Sequence, residues 1–144
     1  MPTCYECLRR LPDECICPIT PEEKLDRWLD AAKREAELIR ALMRGGYKPR
    51  VEAYLFREEE GKEEPLRLTA RVKCRVESIK VKKKGEFAWK ITAKIRMPDD
   101  GCFLEVILYD VEDKPLYRRF IMGEFLAADL VEIHWKLEIG EDRT

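Results

Sequence analysis

The apolar positions of this chain follow two different periods. From Thr20 to Arg44 they recur at spacings of three and four, at Leu25, Trp28, Leu29, Ala32, Ala36, Ile39, Leu42 and Met43. That spacing gathers them on one side of an α-helix. Thr20-Pro21-Glu22-Glu23 writes the start: Thr20 as N-cap, Pro21 at the first helical position, Glu23 closing a capping box. Arg40 and Arg44 suit the negative end of the helix dipole, and Gly45-Gly46 with Pro49 beyond it gives the stop. A helix is predicted over 21–44, with its apolar stripe and Trp28 packed on whatever follows.

Beyond Pro49 the period becomes two. Strands are expected at 51–57 and at 66–77, where Leu68, Ala70, Val72, Cys74 and Val76 share a face, with 79–81 continuing after a bulge. The next is 87–96, with Trp89, Ile91, Ala93 and Ile95 inward. Residues 102–110 are apolar on both faces, as in a central strand. Strands at 116–122 and 130–139 follow, the last with Val131, Ile133, Trp135, Leu137 and Ile139 inward and Glu132, His134, Lys136 and Glu138 outward. Turns are expected at the acidic run 58–65, at 82–85, at 98–101 and at 112–115. Six or seven short strands separated by turns predict an antiparallel β-sandwich. The expected organisation is a cysteine module at 1–19, an amphipathic helix at 20–46 and a β-sandwich domain at 50–144, mainly β with one helix.

Composition adds two points. Charged residues are 40% and hydrophobic ones 45%, so the chain can build a core and is not of the disordered class. There is no Asn and no Gln, and Ser78 is the only serine. Charge-rich, amide-poor chains are expected in proteins of very hot habitats, so a thermophile, or a virus of one, is the expected source. No apolar run reaches transmembrane length and none resembles a signal-peptide core, so a cytoplasmic protein is expected.

The first seventeen residues carry the most definite chemistry. Cys4, Cys7, Cys15 and Cys17 are spaced C-x2-C, seven residues, C-x-C. Two close pairs on either side of a short loop can give four thiolates to one tetrahedral zinc. Four cysteines would close the coordination shell, so the zinc is expected to be structural rather than catalytic. Disulfides are the alternative, because intracellular disulfides do occur in hyperthermophiles. Cys74 is expected as a buried thiol, with a Cys74–Cys102 bridge as a further possibility.

Two stretches resemble known families. CYECLRRLPDECICPITP, about the first eighteen residues after the opening tripeptide, resembles the knuckle of DTW-domain RNA-modifying enzymes: C-x2-C, a Pro-containing loop, then C-x-C-P. That family's Asp-x-Thr-x-Trp motif and α/β domain do not appear in this sequence, so the resemblance implies a zinc knuckle and not the enzyme. Phe103–Asp110, ending in Leu108-Tyr109-Asp110, is similar to the FxLYD type of immunoglobulin-like sandwich. That likeness implies an immunoglobulin-like binding or accessory module without catalytic residues.

Charge is balanced overall, 28 basic against 29 acidic side chains, but not locally. Between Leu66 and Arg96 stand Arg67, Arg71, Lys73, Arg75, Lys80, Lys82, Lys83, Lys84, Lys90, Lys94 and Arg96 against only Glu77 and Glu86. Their phasing points most of them away from the apolar face. If the strands are neighbours, one sheet face is a basic plate able to hold phosphates or an acidic protein surface. The plain alternative is a solvated sheet face balanced by the acidic run 58–64, Glu132 and Glu138. Exposed aromatics for stacking are not expected in these strands, which speaks against single-strand recognition. Arg9 and Arg10, in the loop between the cysteine pairs, are further partner-binding candidates. His134 is the only histidine and is expected as surface decoration. With one serine, one histidine and no Gly-rich phosphate loop, no catalytic residue is assigned. The sequence therefore predicts a non-enzymatic binding or regulatory protein that contacts a macromolecule, such as host transcription or defence machinery. A nucleic-acid binder using the basic face and the zinc knuckle is the second reading, and an accessory of RNA modification a minor third.

Overall fold

A computed structural model describes residues 2–57 and 71–139. It is mainly β, with one helix α1 (Pro21–Arg44) and, among the described residues, strands β1 (Val51–Phe56), β2 (Val72–Lys73), β3 (Arg75–Gly85), β4 (Ala88–Arg96), β5 (Gly101–Tyr109), β6 (Pro115–Phe125) and β7 (Leu130–Glu138). They form two antiparallel sheets, in the orders β2-β1-β5-β6 and β3-β4-β7. No helix among the described residues is long and apolar enough to cross a membrane.

Alternation builds the core as expected. Val51, Ala53 and Leu55 stand opposite Leu108, Val106 and Leu104 in the larger sheet. Ile91, Ala93 and Ile95 stand opposite Trp135, Ile133 and Val131 in the smaller one. These inner faces join Leu38, Ile39 and Leu42 of α1 in one hydrophobic cluster. Each fully buried Leu or Ile there contributes about 2 kcal/mol. β5 lies inside its sheet, which explains why both of its faces are apolar.

The helix begins and ends where its signals stand. Thr20 Oγ1 accepts from the Glu23 N–H at 3.1 Å and its hydroxyl donates to the Glu23 carboxylate at 3.2 Å. Gly45 takes φ 82°, a left-handed conformation that glycine enters at low cost. The buried face, however, is rotated from the expected stripe. Ala31, Glu35, Leu38, Ile39, Ala41 and Leu42 are buried, while Leu25, Leu29 and Met43 are about half exposed, at 47%, 51% and 47%. Apolar residues occupy more than one side of α1, and the inward side is the one whose Glu35 reaches both sheets. The Glu35 carboxylate accepts from the Tyr117 hydroxyl on β6 and from the Glu138 N–H on β7 at 3.1 Å. Burial pushes this carboxyl above its ordinary range, with the Tyr117 hydroxyl opposing.

A second clasp holds α1 to the β5–β6 hairpin. Arg34 Nε donates to Asp110 at 2.6 Å, and Arg34 Nη2 to the Pro115 carbonyl at 2.6 Å. Asp110 also accepts from the Glu112 and Lys114 N–H groups, both at 2.9 Å, which forms the turn.

Three strand expectations change. The run expected over 66–77 divides: 66–70 lies outside the described residues, β2 joins the larger sheet beside β1, and β3 joins the smaller sheet beside β4. The pivot is Cys74, whose N–H donates to the Ala53 carbonyl at 2.8 Å. Val72 is consequently 41% exposed rather than buried, because β2 is a two-residue strand at the end of its sheet order. The bulge expected before Ile79 is present, between Val76 and Ser78. The turn expected at 82–85 is instead the Glu86–Phe87 loop, so Lys82–Gly85 belong to β3. The acidic turn expected at 58–65 lies outside the described residues.

Candidate metal centre and basic sheet face

The segment from Pro2 to Cys17 folds back on itself through an isolated bridge between Thr3 and Arg10. The Cys4 N–H donates to the Arg9 carbonyl at 2.7 Å and the Leu8 N–H to the Cys4 carbonyl at 2.8 Å. Leu8, at φ 66°, completes a tight turn after the first cysteine pair. These turns bring the four sulfurs together, each within 4.8 Å of the others. Cys4 and Cys17 lie 3.8 Å apart, as do Cys7 and Cys15. A tetrahedron of sulfurs around zinc, with Zn–S of about 2.3 Å, has edges of about 3.8 Å. A disulfide would need about 2.0 Å. None of the six cysteines, all among the described residues, is in a disulfide. Cys74 is a buried thiol held up at about 11 by burial, and the Cys102 thiol faces the Phe56 carbonyl at 3.8 Å.

The protonation of the cluster points the same way. Burial pushes Cys7 up, but N–H groups of Ile16 and Arg9 and the thiols of Cys4 and Cys15 outweigh it and bring it down to about 6. Burial and the sulfurs of Cys15 and Cys4 push Cys17 up to about 11, with Arg27 opposing. Four thiolates this close repel one another, so all four ionise only around a cation. The donor set therefore fits a metal ion. All four are soft sulfur ligands, which excludes hard cations such as Mg²⁺ or Ca²⁺.

The cluster is docked on the rest of the molecule. Arg27 of α1 donates to Cys4 Sγ at 3.3 Å, and Lys24 to the Cys15 carbonyl at 2.7 Å. Arg118 of β6 donates to the Glu6 carbonyl at 2.8 Å and lies over the Tyr5 ring. Leu11 is buried in the common core. No sequence signal marks Arg27, because only the docking of the cysteine segment on α1 sets Cys4 against its guanidinium.

The strand register decides which of the basic candidates meet. Lys82 stands opposite Lys90, and Lys90 opposite Lys136, a row of three lysines across β3, β4 and β7. Lys80, Thr92 and His134 form the next row, then Ser78, Lys94 and Glu132, then Arg75, Arg96 and Leu130. Lys84 extends the cluster: Lys82 first, then burial, Lys90 and Lys136 lower its ammonium. Among the described residues no carboxylate forms an ion pair with Lys80, Lys82, Lys84, Lys90, Lys94 or Lys136. Of the nearby acids, Glu77 pairs with Arg96 at 3.1 Å and Arg75 at 3.9 Å and Glu132 lies 3.1 Å from His134, while Glu138 borders the end of the row. Lys136 completes the row but was not a sequence candidate, because only the β4–β7 register places it there.

Other candidates fall elsewhere. Lys73 belongs to the larger sheet and pairs with Glu52 at 3.4 Å, and Arg71, just before β2, lies over Tyr54 of that sheet and pairs with Glu105 at 3.2 Å. Arg67 lies outside the described residues. Lys83 stands opposite Trp89 on the other side of its strand. Arg9 and Arg10 are exposed, Arg10 lying 4.0 Å from Glu14. His134 bonds Thr92 at 3.0 Å as well as Glu132. The two features adjoin: Thr3 and Leu8 of the cysteine segment share a cleft with Arg119 of β6 and with His134 and Lys136 of β7. No protein-family model, no curated protein and no solved structure matches this chain.

Proposed function

We propose that this chain is a non-catalytic module that binds the phosphate backbone of a nucleic acid through the outer face of the β3-β4-β7 sheet, with a structural zinc ion stapling residues 4–17 beside that face. The observation that carries it is the Lys82–Lys90–Lys136 row. Like charges directly opposite on neighbouring strands destabilise a sheet. Lysines on an outer strand such as β3 can be explained as a guard against edge pairing. Lys90 is on the central strand, where no edge needs guarding. A polyanion repays that repulsion by neutralising the row and releasing counterions. The zinc identity rests on four thiolate ligands at tetrahedral spacing. The immunoglobulin-like likeness enters only as two antiparallel sheets facing across one core, since the described strands pair β1 with β5 and β4 with β7.

Fluorescence anisotropy of labelled DNA and RNA tests the binding. The affinity is expected to fall steeply with salt and to be lost in a Lys82→Glu/Lys90→Glu/Lys136→Glu variant. Absence of binding to any nucleic acid at low salt would reject the reading. Elemental analysis of the purified chain tests the staple: about one zinc per chain is expected, lost in Cys4→Ser.

A further inference from the structure

The lysine face is not uniform at its β3–β4 end. Lys84, Ala88, Trp89, Lys90, Lys136 and Leu137 line a cleft of about 600 Å³, with Glu138 also bordering it. That volume is within the range of about 300–1,000 Å³ that accommodates small ligands. Lys84, Lys90 and Lys136 share its outer side with Ala88, while the Trp89 and Leu137 side chains, alternate to them along β4 and β7, pack on the core. Among the described residues Glu138 makes no ion pair with these lysines; its backbone N–H is committed to Glu35.

Beside the cleft stands Phe87 in the two-residue hairpin loop, 43% exposed. Its carbonyl accepts from the Ile139 N–H at 3.0 Å, which ties the loop to the end of β7. A large apolar ring at a hairpin tip between lysine-bearing strands leaves much of its surface in solvent. Exposed aromatics are not expected in the basic strands themselves, and Phe87 stands in the loop between β3 and β4 rather than in the expected strand 87–96. Placing the turn at Glu86–Phe87 rather than 82–85 is what brings the ring out.

Cations beside an exposed aromatic ring match a nucleotide, with phosphate on the ammonium groups and a base on Phe87. A base inside a duplex cannot reach such surface without leaving its stack; a single strand offers its bases already splayed. We propose that the Lys84–Lys90–Lys136 cleft with Phe87 is a nucleotide subsite that makes this face select single-stranded over double-stranded nucleic acid. This rests on the phosphate-binding reading above.

The test uses the full chain with its metal. Anisotropy is measured for labelled deoxythymidine and uridine strands of about twelve nucleotides, the span of a single-strand groove, and for a duplex of equal length. Polyglutamate is the control polyanion. Single strands are expected to bind at least about tenfold more tightly than duplex. Phe87→Ala, at an exposed loop tip, is expected to weaken single-strand binding by about tenfold, the scale of one stacked base, and to leave duplex binding unchanged. Tighter binding of uridine or of deoxythymidine then identifies RNA or DNA as the ligand. Equal affinity for duplex and single strand, or no loss in Phe87→Ala, overturns the subsite while nucleic-acid binding stands. Binding of polyglutamate but of neither nucleic acid overturns both.

Discussion

Glu35 shows what a single side chain does in this fold. It is 2% exposed on α1 and accepts hydrogen bonds from both sheets. Replacing it with alanine leaves the Tyr117 hydroxyl and the Glu138 N–H buried without acceptors, at about 1–3 kcal/mol each. Glu35→Ala is therefore expected to cost about 3 kcal/mol in chemical denaturation. The cost should depend on pH in a definite direction. Burial raises the Glu35 carboxyl in the folded state above its ordinary 4.5, so the native chain binds that proton more tightly than the unfolded one. Its contribution is full below 4.5 and declines as pH rises through the folded value. The difference between wild type and Glu35→Ala should accordingly shrink as pH rises, and a difference that grew would contradict the buried carboxyl. Nothing in the sequence marked Glu35. A glutamate between Ala36 and Arg34 reads as solvent-facing until the tertiary fold sets two donors against it. The cysteines were legible for the opposite reason: their spacing alone brings four ligands within a few residues of one another.

At the scale of elements, legibility followed local determination. The helix ends at 21 and 44 were readable because capping residues act within one turn. The face α1 buries was not, since Leu25 and Leu29 compete with Leu38 and Ile39 and only the sheets decide between them. The division at Cys74 was hidden likewise: alternation says which way a side chain points but not which sheet its strand joins. The clasp between α1 and the β5–β6 hairpin provides a test at this scale. Asp110 is buried, held by Arg34 at 2.6 Å, and caps its own turn. Burial would raise its carboxyl, but the Lys114 N–H and Arg34 outweigh that and hold it below the ordinary 3.8. Here the sign reverses relative to Glu35. Asp110 contributes stability above 3.8 that is lost as pH falls through the lower folded value. Asp110→Ala is expected to cost about 2 kcal/mol at neutral pH, with the difference from wild type shrinking in acid. Urea titrations of both variants across pH should therefore give opposite slopes on the two sides of one helix.

For the whole molecule the question is whether the lysines of the β3-β4-β7 face, without ion-pair partners among the described residues, are an active surface or a solvated one. Stability and binding answer it jointly. In Lys90→Glu the central member of the row changes sign, and both cross-strand neighbours, Lys82 and Lys136, gain an opposite charge. Each such pair contributes roughly 0.2–1 kcal/mol, so the variant is expected to be more stable by about 1 kcal/mol, raising Tm by about 3 °C. A solvated face would allow that gain without loss. A phosphate-binding face would not. The variant should then bind nucleic acid about tenfold more weakly at low salt, and the slope of log affinity against log salt should flatten by about 0.7–0.9 for each phosphate no longer neutralised. Calorimetry and anisotropy on the same preparation read both quantities. Higher Tm with unchanged affinity would return the lysines to the solvent. Higher Tm with weaker, less salt-sensitive binding would mean that the fold keeps a costly charge row in the middle of a sheet because a polyanion occupies it.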